Sequence, residues 1–239
     1  MFKSAPRIRR RFWFRRLILT LLSLAIAFMV LSVLLVLPWR WLPVPTSSFM
    51  VQSVFRNGQF YEYTWVSTAN ISPEMKLAAI AAEDQRFPDH HGFDLDSLQQ
   101  AIADYQQGGD LRGASTISQQ VAKNLYLWSG RSLFRKGLEA WFTVLIELMW
   151  SKQRILEVYL NVAQFSPQVF GVEVASQKFF GYPASNLTAE ESALLAAVLP
   201  GPELYEVNQP SAVVLDHQYW ILRQMNQLGG IVYLQRLKG

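Results

Sequence analysis

The chain has no cysteine and only three histidines among its 239 residues. The lack of cysteine excludes disulfide bonds and thiolate metal sites, and it is neutral about the compartment. His90 and His91 are adjacent, a spacing at which two side chains rarely converge on one ion, and no H-E-x-x-H pattern occurs. The sequence therefore predicts no structural zinc, and it leaves open only a magnesium-type ion held by carboxylates.

Acidic residues are missing from the first 16 positions, which form a basic tail. The basic residues there are Lys3, Arg7, Arg9, Arg10, Arg11, Arg15 and Arg16. The whole chain carries a formal charge of +4, so the remaining 15 basic and 18 acidic residues give the body a charge of −3. The high isoelectric point belongs to the tail, and the body is not predicted to bind nucleic acid.

Charge is also absent from residues 17–37, an apolar run that as a helix would be about 31 Å long and would match a bilayer core. Trp13 lies before the run, and Trp39 and Trp41 lie after it, as expected for interfacial aromatic residues. Because the basic tail precedes the run, residues 1–16 are predicted to be cytoplasmic, 17–37 to be a transmembrane helix, and the body to lie outside. A cleaved signal peptide and a buried core helix are the alternatives. No A-x-A-like cleavage site follows the run, and its hydrophobicity lacks periodicity.

Strand signals are scarce in the body. Residues 38–49 contain three prolines and are predicted to be a stiff linker. The domain that follows is predicted to span residues 50–239. Within 50–66, partial alternation around Asn57-Gly58 predicts a short hairpin. The remaining signals are helical and no repeat occurs, so the sequence predicts one mostly α-helical domain after a single transmembrane helix.

Caps, periodicity and breakers predict the limits of the helices. The first should run from Pro73 to about Arg86 with Leu77, Ile80 and Ala81 inward. The second should begin near Asp94 or Asp96, bury Leu95, Leu98, Ile102 and Tyr105, and end at Gly108-Gly109. A third should be capped by Ser115. Later helices are predicted at about 133–150 and 152–163, after a capping box at Thr188 and Glu191, and at about 210–228 before Gly229-Gly230.

Glu83 is the first candidate for chemistry. It lies three residues after Ile80, on the buried face and near the helix C-terminus. The negative end of the helix dipole and desolvation both disfavour a carboxylate there, which raises a carboxyl pKa toward the range of a general base or acid. A solvated helix end with Glu83 paired to Arg86 is the structural alternative.

Three further clusters follow along the chain. In residues 113–124, Gln120, Lys123 and Asn124 share a helix face, while Ser115 and Thr116 lie at a helix N-terminus that could attract an anion. An ordinary polar helix face is the structural alternative for this cluster. Arg135 and Lys136 are spaced to pair with Glu139, either as a surface salt bridge or beside an apolar face as a site for an anionic lipid head group. In residues 152–161, Glu157 and Asn161 could be a hydrogen-bonded pair in a segment that is otherwise core.

In this order, the four clusters resemble the motifs of the monofunctional peptidoglycan glycosyltransferases, membrane-anchored enzymes that polymerise lipid II. The motifs are E-D-x-x-F-x-x-H-x-G at Glu83 to Gly92, G-x-S-T-I-x-Q-Q-x-x-K-N at Gly113 to Asn124, R-K-x-x-E at Arg135 to Glu139, and I-L-E-x-Y-L-N at Ile155 to Asn161. The resemblance covers about residues 50–230. Where the family usually has glycine after Y-L-N, this chain has Gln164 to Pro167, which puts the geometry of that loop in doubt.

The resemblance implies a lysozyme-like fold with a membrane-associated lobe, a catalytic domain in the periplasm and an anchor in the inner membrane. It makes Glu83 the general base and Glu139 the second catalytic carboxylate. Substrate binding would fall to Asp84, Ser115, Thr116, Gln120, Lys123, Asn124, Arg135 and Lys136. The products would be a β-1,4-linked glycan strand and undecaprenyl diphosphate.

No cofactor is required by this assignment, although a divalent cation, Mg or Mn, at the diphosphate stays open. Lipid II, the growing strand and the membrane are the implied partners, and other cell-wall synthesis proteins are compatible with the assignment. A lysozyme-like enzyme that cleaves glycan and a non-catalytic cell-wall scaffold are the alternatives.

Overall fold

The computed structural model describes residues 7–58, 60–99, 115–130 and 132–238, and the chain divides into two compact units, residues 1–41 and 42–239. Its principal helices are α1 (Arg7–Val36), α2 (Ser48–Asn57), α3 (Pro73–Glu83), α4 (Ile117–Tyr126), α5 (Leu133–Met149), α6 (Lys152–Val162), α7 (Val172–Phe180), α8 (Ala189–Val198) and α9 (Ala212–Gln227). Short 3-10 helices lie at Leu37–Arg40, Thr68–Asn70, Ala184–Asn186 and Gly230–Lys238. The prediction of a mostly α-helical body is confirmed.

From residue 7 onward, the first unit is one continuous helix followed by a 3-10 turn. The predicted apolar run lies in α1 and in the turn at Leu37–Arg40, and Pro38 occupies the start of that turn. The stretch Trp13–Arg40 is long and apolar enough to cross a membrane, and most of its side chains are exposed. Exposure of so many apolar side chains is consistent with membrane anchoring, because lipid would cover them.

The predicted hairpin at residues 50–66 is wrong, because helix α2 occupies its first half. Ser47 caps α2 by accepting a hydrogen bond from the Met50 N–H at 3.1 Å. Gly58 ends the helix in the left-handed conformation, with φ +66°, and donates its N–H to the Val54 carbonyl. Asn-Gly favours positive φ in a helix C-cap as well as in a hairpin turn, so the dipeptide alone could not distinguish the two. The helix also begins inside the expected linker 38–49.

Helix α3 begins as predicted and ends three residues early. Ser72 accepts from the Met75 N–H at 3.0 Å, and Pro73 occupies the first turn. The helix stops at Glu83, and Asp84 leaves the helical conformation with φ −163°. Because the chain leaves the helix at this residue, the side chain of Asp84 can reach helix α4, where it accepts a hydrogen bond from the Ile117 N–H.

The residues after α3 differ from the prediction in their burial. A helical stretch covers 95–99, but Leu95 is 63% exposed and Leu98 is 38% exposed. Their predicted burial is therefore wrong, since periodicity identifies an apolar face and not what covers it. Ile102, Tyr105 and the predicted end at Gly108-Gly109 lie outside the described residues.

Three short strands form the small sheet of the second unit. The strands are β1 (Glu62–Tyr63), β2 (Gln164–Ser166) and β3 (Val169–Phe170), in the order β1-β3-β2. Strand β3 is parallel to β1 and antiparallel to β2, with an irregular register in β2. The departure at Gln164 to Pro167 therefore forms the first strand and the start of the turn of a short hairpin, and Phe165 is fully buried in that strand.

Gly171 ends this hairpin where only glycine fits. Its φ is +86°, and a Cβ there would lie 2.8 Å from the Asn161 carbonyl oxygen. Its N–H donates to the Ala163 carbonyl at 2.9 Å, which joins the hairpin to the end of α6.

The core is built around α3, which packs against α8, α9 and the C-terminal 3-10 helix, while α4 packs between α5 and α6. The predicted inward residues Leu77, Ile80 and Ala81 are buried. The predicted capping box of Thr188 and Glu191 is confirmed at the start of α8. Helices α3 and α4 consequently have fixed neighbours on both sides, and the site lies where they meet.

The predicted hydrogen-bonded pair of Glu157 and Asn161 is present, but it joins the Asn161 side chain to the Glu157 backbone. Asn161 is fully buried and exchanges two hydrogen bonds with the backbone of Val66, at 2.8 and 2.9 Å. It reaches only the carbonyl oxygen of Glu157, whereas the Glu157 carboxylate accepts from the Thr68 N–H and from Arg154. The Asn161 side chain thus provides Val66, which lies outside the sheet, with the two backbone hydrogen bonds that a neighbouring strand would otherwise provide.

We expect Asn161→Ala to destabilise the domain, because it leaves the buried N–H and C=O of Val66 without partners, at a cost of about 1–3 kcal/mol for each group. Thermal unfolding of the full chain in detergent, followed by circular dichroism, would measure the change. Asn208→Ala is the matched control, since Asn208 is exposed. Equal unfolding temperatures for the two variants would contradict this role of Asn161.

Candidate active site

Glu83, the last residue of α3, contacts helix α4 through Gln120. The Gln120 Nε2 donates to the Glu83 carboxylate at 2.5 Å. Burial raises the pKa of the Glu83 carboxyl, and the Asp84 carboxylate also raises it, whereas the hydrogen bond from Gln120 and the charges of His217 and Lys123 lower it. Glu83 nevertheless keeps a limited opening, since it lines a cavity. A carboxylate so placed has the raised pKa and the access that a general base needs.

Arg86 does not pair with Glu83, so the alternative of a solvated, paired helix end is wrong. Its guanidinium lies 3.2 Å from Asp94 and 2.7 Å from Asp96. These contacts hold the turn after α3 against the helical stretch at 95–99 and leave the Glu83 carboxylate to Gln120.

Asp84 links three segments. One of its oxygens accepts from the Ile117 N–H at 3.0 Å, and the carboxylate bonds His90 Nε2 at 2.9 Å. The Gly92 N–H donates to His90 Nδ1, so Nδ1 is the accepting nitrogen and Nε2 carries the proton toward Asp84. His90 is thus a structural link. Within the described ranges, no three His, Asp or Glu side chains are grouped so that they could hold a metal ion.

Gly92 lets this turn approach helix α5. Its φ is +89°, and a Cβ would lie 2.7 Å from the Thr143 Cγ2 and 3.1 Å from the Glu147 Cγ. The Gly92 carbonyl accepts from the Thr116 hydroxyl at 2.7 Å. Any other residue at 92 would be strained at this φ and would have to displace these two side chains of α5.

The helix cap of α4 is Thr116, not Ser115. Thr116 and Gln119 form a reciprocal capping box, and Asp84 accepts the Ile117 N–H. Three of the N–H groups at this helix start therefore bond to protein atoms, which removes the reason for expecting an anion there. Ser115 is exposed and lines the cavity that contains Glu83; Gly113 of the same motif lies outside the described residues.

One cavity of about 310 Å³ is lined by Gln120, Lys123 and Asn124, which were predicted to share a helix face. Burial lowers the pKa of Lys123; the carboxylates of Glu139 and Glu83 raise it, and the cations Arg135 and Lys136 lower it. Lys123 therefore lies within the field of both candidate carboxylates. Asn124 Oδ1 is buried and has no hydrogen-bond partner among the described residues, so it offers a free acceptor close to this cation.

Glu139 is buried, with 2% of its surface exposed, so its pairing is not a surface salt bridge. Arg135 approaches one carboxylate oxygen at 2.7 Å, and Lys136 binds the other oxygen. The Arg135 Nε is buried and without a partner in the described part of the chain. Glu139 thus fixes two cations, one of which keeps an unused donor.

The hydrogen bond between Glu83 and Gln120 lies between two cavities. Glu83 lines a cavity of about 340 Å³ together with Ser115, Thr116 and Trp220, while Gln120 lines the cavity that contains Lys123. Each partner of this hydrogen bond thus lines a different cavity, and the two cavities together offer room for two substrate groups.

Sequence reasoning missed several residues here. Tyr159, assigned to the core, donates a hydrogen bond of 3.4 Å to Gln120 Oε1 and lines the Lys123 cavity. Gln164, the first residue of the departure from the family pattern, lines the same cavity, as does the ion pair of Arg56 and Glu203, 2.9 Å apart. The only signal for Tyr159 was its place in the fourth motif; Arg56 and Glu203 carry none.

Comparison with known proteins shows the family of the chain. The family model described as "Transglycosylase" matches residues 51–226. The chain is 50% identical to the biosynthetic peptidoglycan transglycosylase of Pseudomonas fluorescens over 232 residues, with 95% of each chain covered. It is 51% identical to the protein of the same name from Stutzerimonas stutzeri, with 94% of this chain and 95% of the relative covered. The corresponding protein of Chromohalobacter salexigens is 50% identical, with coverage of 95% and 99%. This chain belongs to the transglycosylase family.

Proposed function

We propose that this protein polymerises lipid II into linear glycan strands by inverting β-1,4 glycosyl transfer, and that it releases undecaprenyl diphosphate. The observation that carries the proposal is the desolvated Glu83 carboxylate, joined through Gln120 to a helix whose next turn places Lys123 in a cavity. A base and a cationic site for a leaving anion are the two parts that such a transfer requires.

In the proposed reaction, Glu83 accepts the proton of the acceptor's sugar 4-hydroxyl. The hydroxyl oxygen then attacks the anomeric carbon of the lipid-linked strand, the bond from that carbon to the diphosphate oxygen breaks, and the diphosphate leaves with the electron pair. Attack on the face opposite the leaving group inverts the configuration. We assign the acceptor to the cavity that Glu83 lines and the donor diphosphate to the cavity that Lys123 lines.

The departing diphosphate would be stabilised by Lys123, Arg135 and Lys136. Glu139 holds Arg135 and Lys136 in place before substrate arrives, so little reorganisation is needed when negative charge develops. The free Oδ1 of Asn124, which lines the same cavity as Lys123, would accept a hydrogen bond from a donor group of the substrate. This cation cluster favours synthesis over glycan cleavage, because a neutral leaving sugar needs no such charge.

The described residues do not fit a divalent cation held by Glu139, since both of its oxygens already bind cations. A Mg or Mn ion that assists the reaction would take its ligands from the substrate's diphosphate.

An apolar surface suits a lipid-linked substrate. Leu133 is 92% exposed and Phe134 is 71% exposed, directly before Arg135 and Lys136. Cations beside exposed apolar side chains match a lipid diphosphate at a bilayer surface. We propose an inner-membrane location with the basic tail in the cytoplasm and residues 42–239 in the periplasm, supported by the positive charge before α1. Other cell-wall synthesis proteins would meet the enzyme there.

Glu83→Gln should lower the rate of lipid II polymerisation at least about 100-fold, because the amide cannot accept the hydroxyl proton. The assay would follow conversion of lipid II to lysozyme-sensitive glycan by full-length protein in detergent, without ATP. Glu190→Gln, at an exposed position of α8, is the control. Full activity of Glu83→Gln would refute its role as the base, and soluble fragments released from polymer alone would indicate a cleaving enzyme.

Lys123→Met should lower turnover about 100- to 1,000-fold, the range seen when one preorganised electrostatic group is removed. The substitution keeps the length of the side chain and removes the charge. Lys178→Met provides the comparison, because Lys178 forms an exposed ion pair with Glu62 away from both cavities. Turnover within a few-fold of the wild type in Lys123→Met would contradict the assignment of the diphosphate to this cavity.

A further inference from the structure

Helix α2 forms one wall of the cavity that we assign to the donor diphosphate. Phe49 and Arg56, seven residues apart and therefore on one face of the helix, both line this cavity. Gln52 lies between them on that face and binds the residues that follow α4. Its Nε2 donates to the Leu127 carbonyl at 2.9 Å, and its Oε1 accepts from the Ser129 N–H at 3.1 Å. The face of α2 that carries Arg56 is thus fixed against the end of α4.

Two cations, Lys123 and Arg56, line the same cavity. The Lys123 Nζ lies over the Phe49 ring, 5.4 Å from its centroid, so α2 and α4 meet directly here. Arg56 follows Phe49 by two turns. A guanidinium keeps its charge at any physiological pH and can bind two phosphate oxygens at once, which an ammonium cannot do. The cavity therefore contains a second group suited to a diphosphate.

The turn after α8 forms another wall and carries Glu203. Prolines on both sides of Gly201 restrict the backbone, and the Gly201 carbonyl accepts from the N–H groups of Leu204 and Tyr205, at 2.9 and 3.0 Å. This stiff turn places the Glu203 carboxylate 2.9 Å from the Arg56 guanidinium. Both side chains line the cavity and remain about 40% exposed, so their ion pair lies at its opening.

The ion pair of Arg56 and Glu203 can be separated at little cost. The exposed fractions of the two side chains are 41% and 42%, and water solvates both groups when such a pair opens. The pair of Arg135 and Glu139 is different, because the Glu139 side chain is only 3% exposed and separation would leave a buried charge. Arg56 is thus a cation that an incoming anion can take from its carboxylate, and a bidentate contact with phosphate is the stronger one.

The residues beside this ion pair suit an anion attached to a hydrocarbon chain. Phe55, next to Arg56, is 86% exposed, and Leu204, next to Glu203, is 84% exposed and lines the cavity. Exposed apolar side chains next to a cation match a prenyl diphosphate better than a free phosphate.

We propose that Arg56 is a further substrate-binding residue, which exchanges Glu203 for the diphosphate of the lipid-linked donor. Glu203 holds the guanidinium at the opening until the donor enters, and the diphosphate then lies between Arg56 and Lys123. This inference rests on the proposed function, because it takes the cavity to be the donor site. A contact made as soon as the donor binds strengthens binding more than it accelerates the transfer.

The first test measures binding of farnesyl diphosphate, a short prenyl diphosphate, to the full chain in detergent by isothermal titration calorimetry. Arg56→Gln should weaken binding about 10-fold, because a charge-assisted contact is lost. Glu203→Gln should tighten binding about 2- to 5-fold, since it removes the competing carboxylate. Farnesol, the uncharged analogue, should bind equally to all variants. Arg236→Gln is the matched control, because the exposed ion pair of Arg236 with Asp89 lines neither cavity.

The second test separates binding from turnover in the lipid II polymerisation assay. Arg56→Gln should raise KM about 10-fold and leave kcat within about 2-fold of the wild type, the pattern expected when a contact common to ground state and transition state is removed. Arg56→Lys keeps the charge but loses the bidentate geometry, so its KM should lie between the two.

Unchanged binding of farnesyl diphosphate by Arg56→Gln would overturn the proposal. Weaker binding by Glu203→Gln would also overturn it, because the carboxylate would then belong to the site instead of competing for Arg56. An equal loss of farnesol binding in Arg56→Gln would do the same, since the residue would then act on the chain and not on the anion. If Arg56→Gln does not fold, Glu203→Gln decides. Calorimetry needs no catalysis, so a wild-type protein that does not polymerise lipid II would refute the proposed function separately.

Discussion

Two consecutive carboxylates at the end of α3 hold helix α4, and the geometry of the site depends on these contacts. Asp84 accepts a hydrogen bond from the Ile117 N–H in the first turn of α4. Glu83 accepts one from the Gln120 side-chain amide, one turn later. Together they fix both the position of α4 and its rotation about its axis. Lys123 follows Gln120 by three residues, so this rotation also aims the cation into its cavity.

The buried carboxylates of α5 also each bind two partner side chains. Glu147 of α5 accepts from the Ser118 hydroxyl of α4 and from Lys152 at the start of α6, 2.8 Å away. Glu139, two turns earlier on α5, binds Arg135 and Lys136. A buried carboxylate is costly unless it is paired and hydrogen-bonded, so each of these glutamates requires its partners. Helix α5 thereby ties α4 to α6 with one carboxylate and holds the cation cluster with another.

Local chemistry predicted the helices well and their surroundings poorly. Two helix starts were predicted correctly, because each depends on residues within four positions of one another. They are the start of α3 at Ser72 and Pro73 and the start of α8 at the Thr188 capping box. Asn57-Gly58 failed because its preference for positive φ serves two structures.

For the candidate site, helical periodicity correctly predicted that Gln120, Lys123 and Asn124 lie together. Tyr159 and His217 were missed because their contacts are with residues about 40 and about 20 positions away in sequence, which no local pattern encodes.

Glu83 lies under opposing influences, and their balance explains why a carboxylate stands at an unfavourable place. Burial, the adjacent Asp84 and the negative end of α3 all favour the protonated form; Gln120, His217 and Lys123 favour the ionised form. A fully solvated carboxylate would be ionised but too weak a base for a sugar hydroxyl, whereas a buried one without cations would remain protonated. Glu83 can act as the proposed base only between these limits, and groups on three helices set the position of its pKa there. Those helices are themselves fixed by Asp84, the capping box of α4 and the packing of α9, so the protonation state of one atom depends on the fold of the whole second unit.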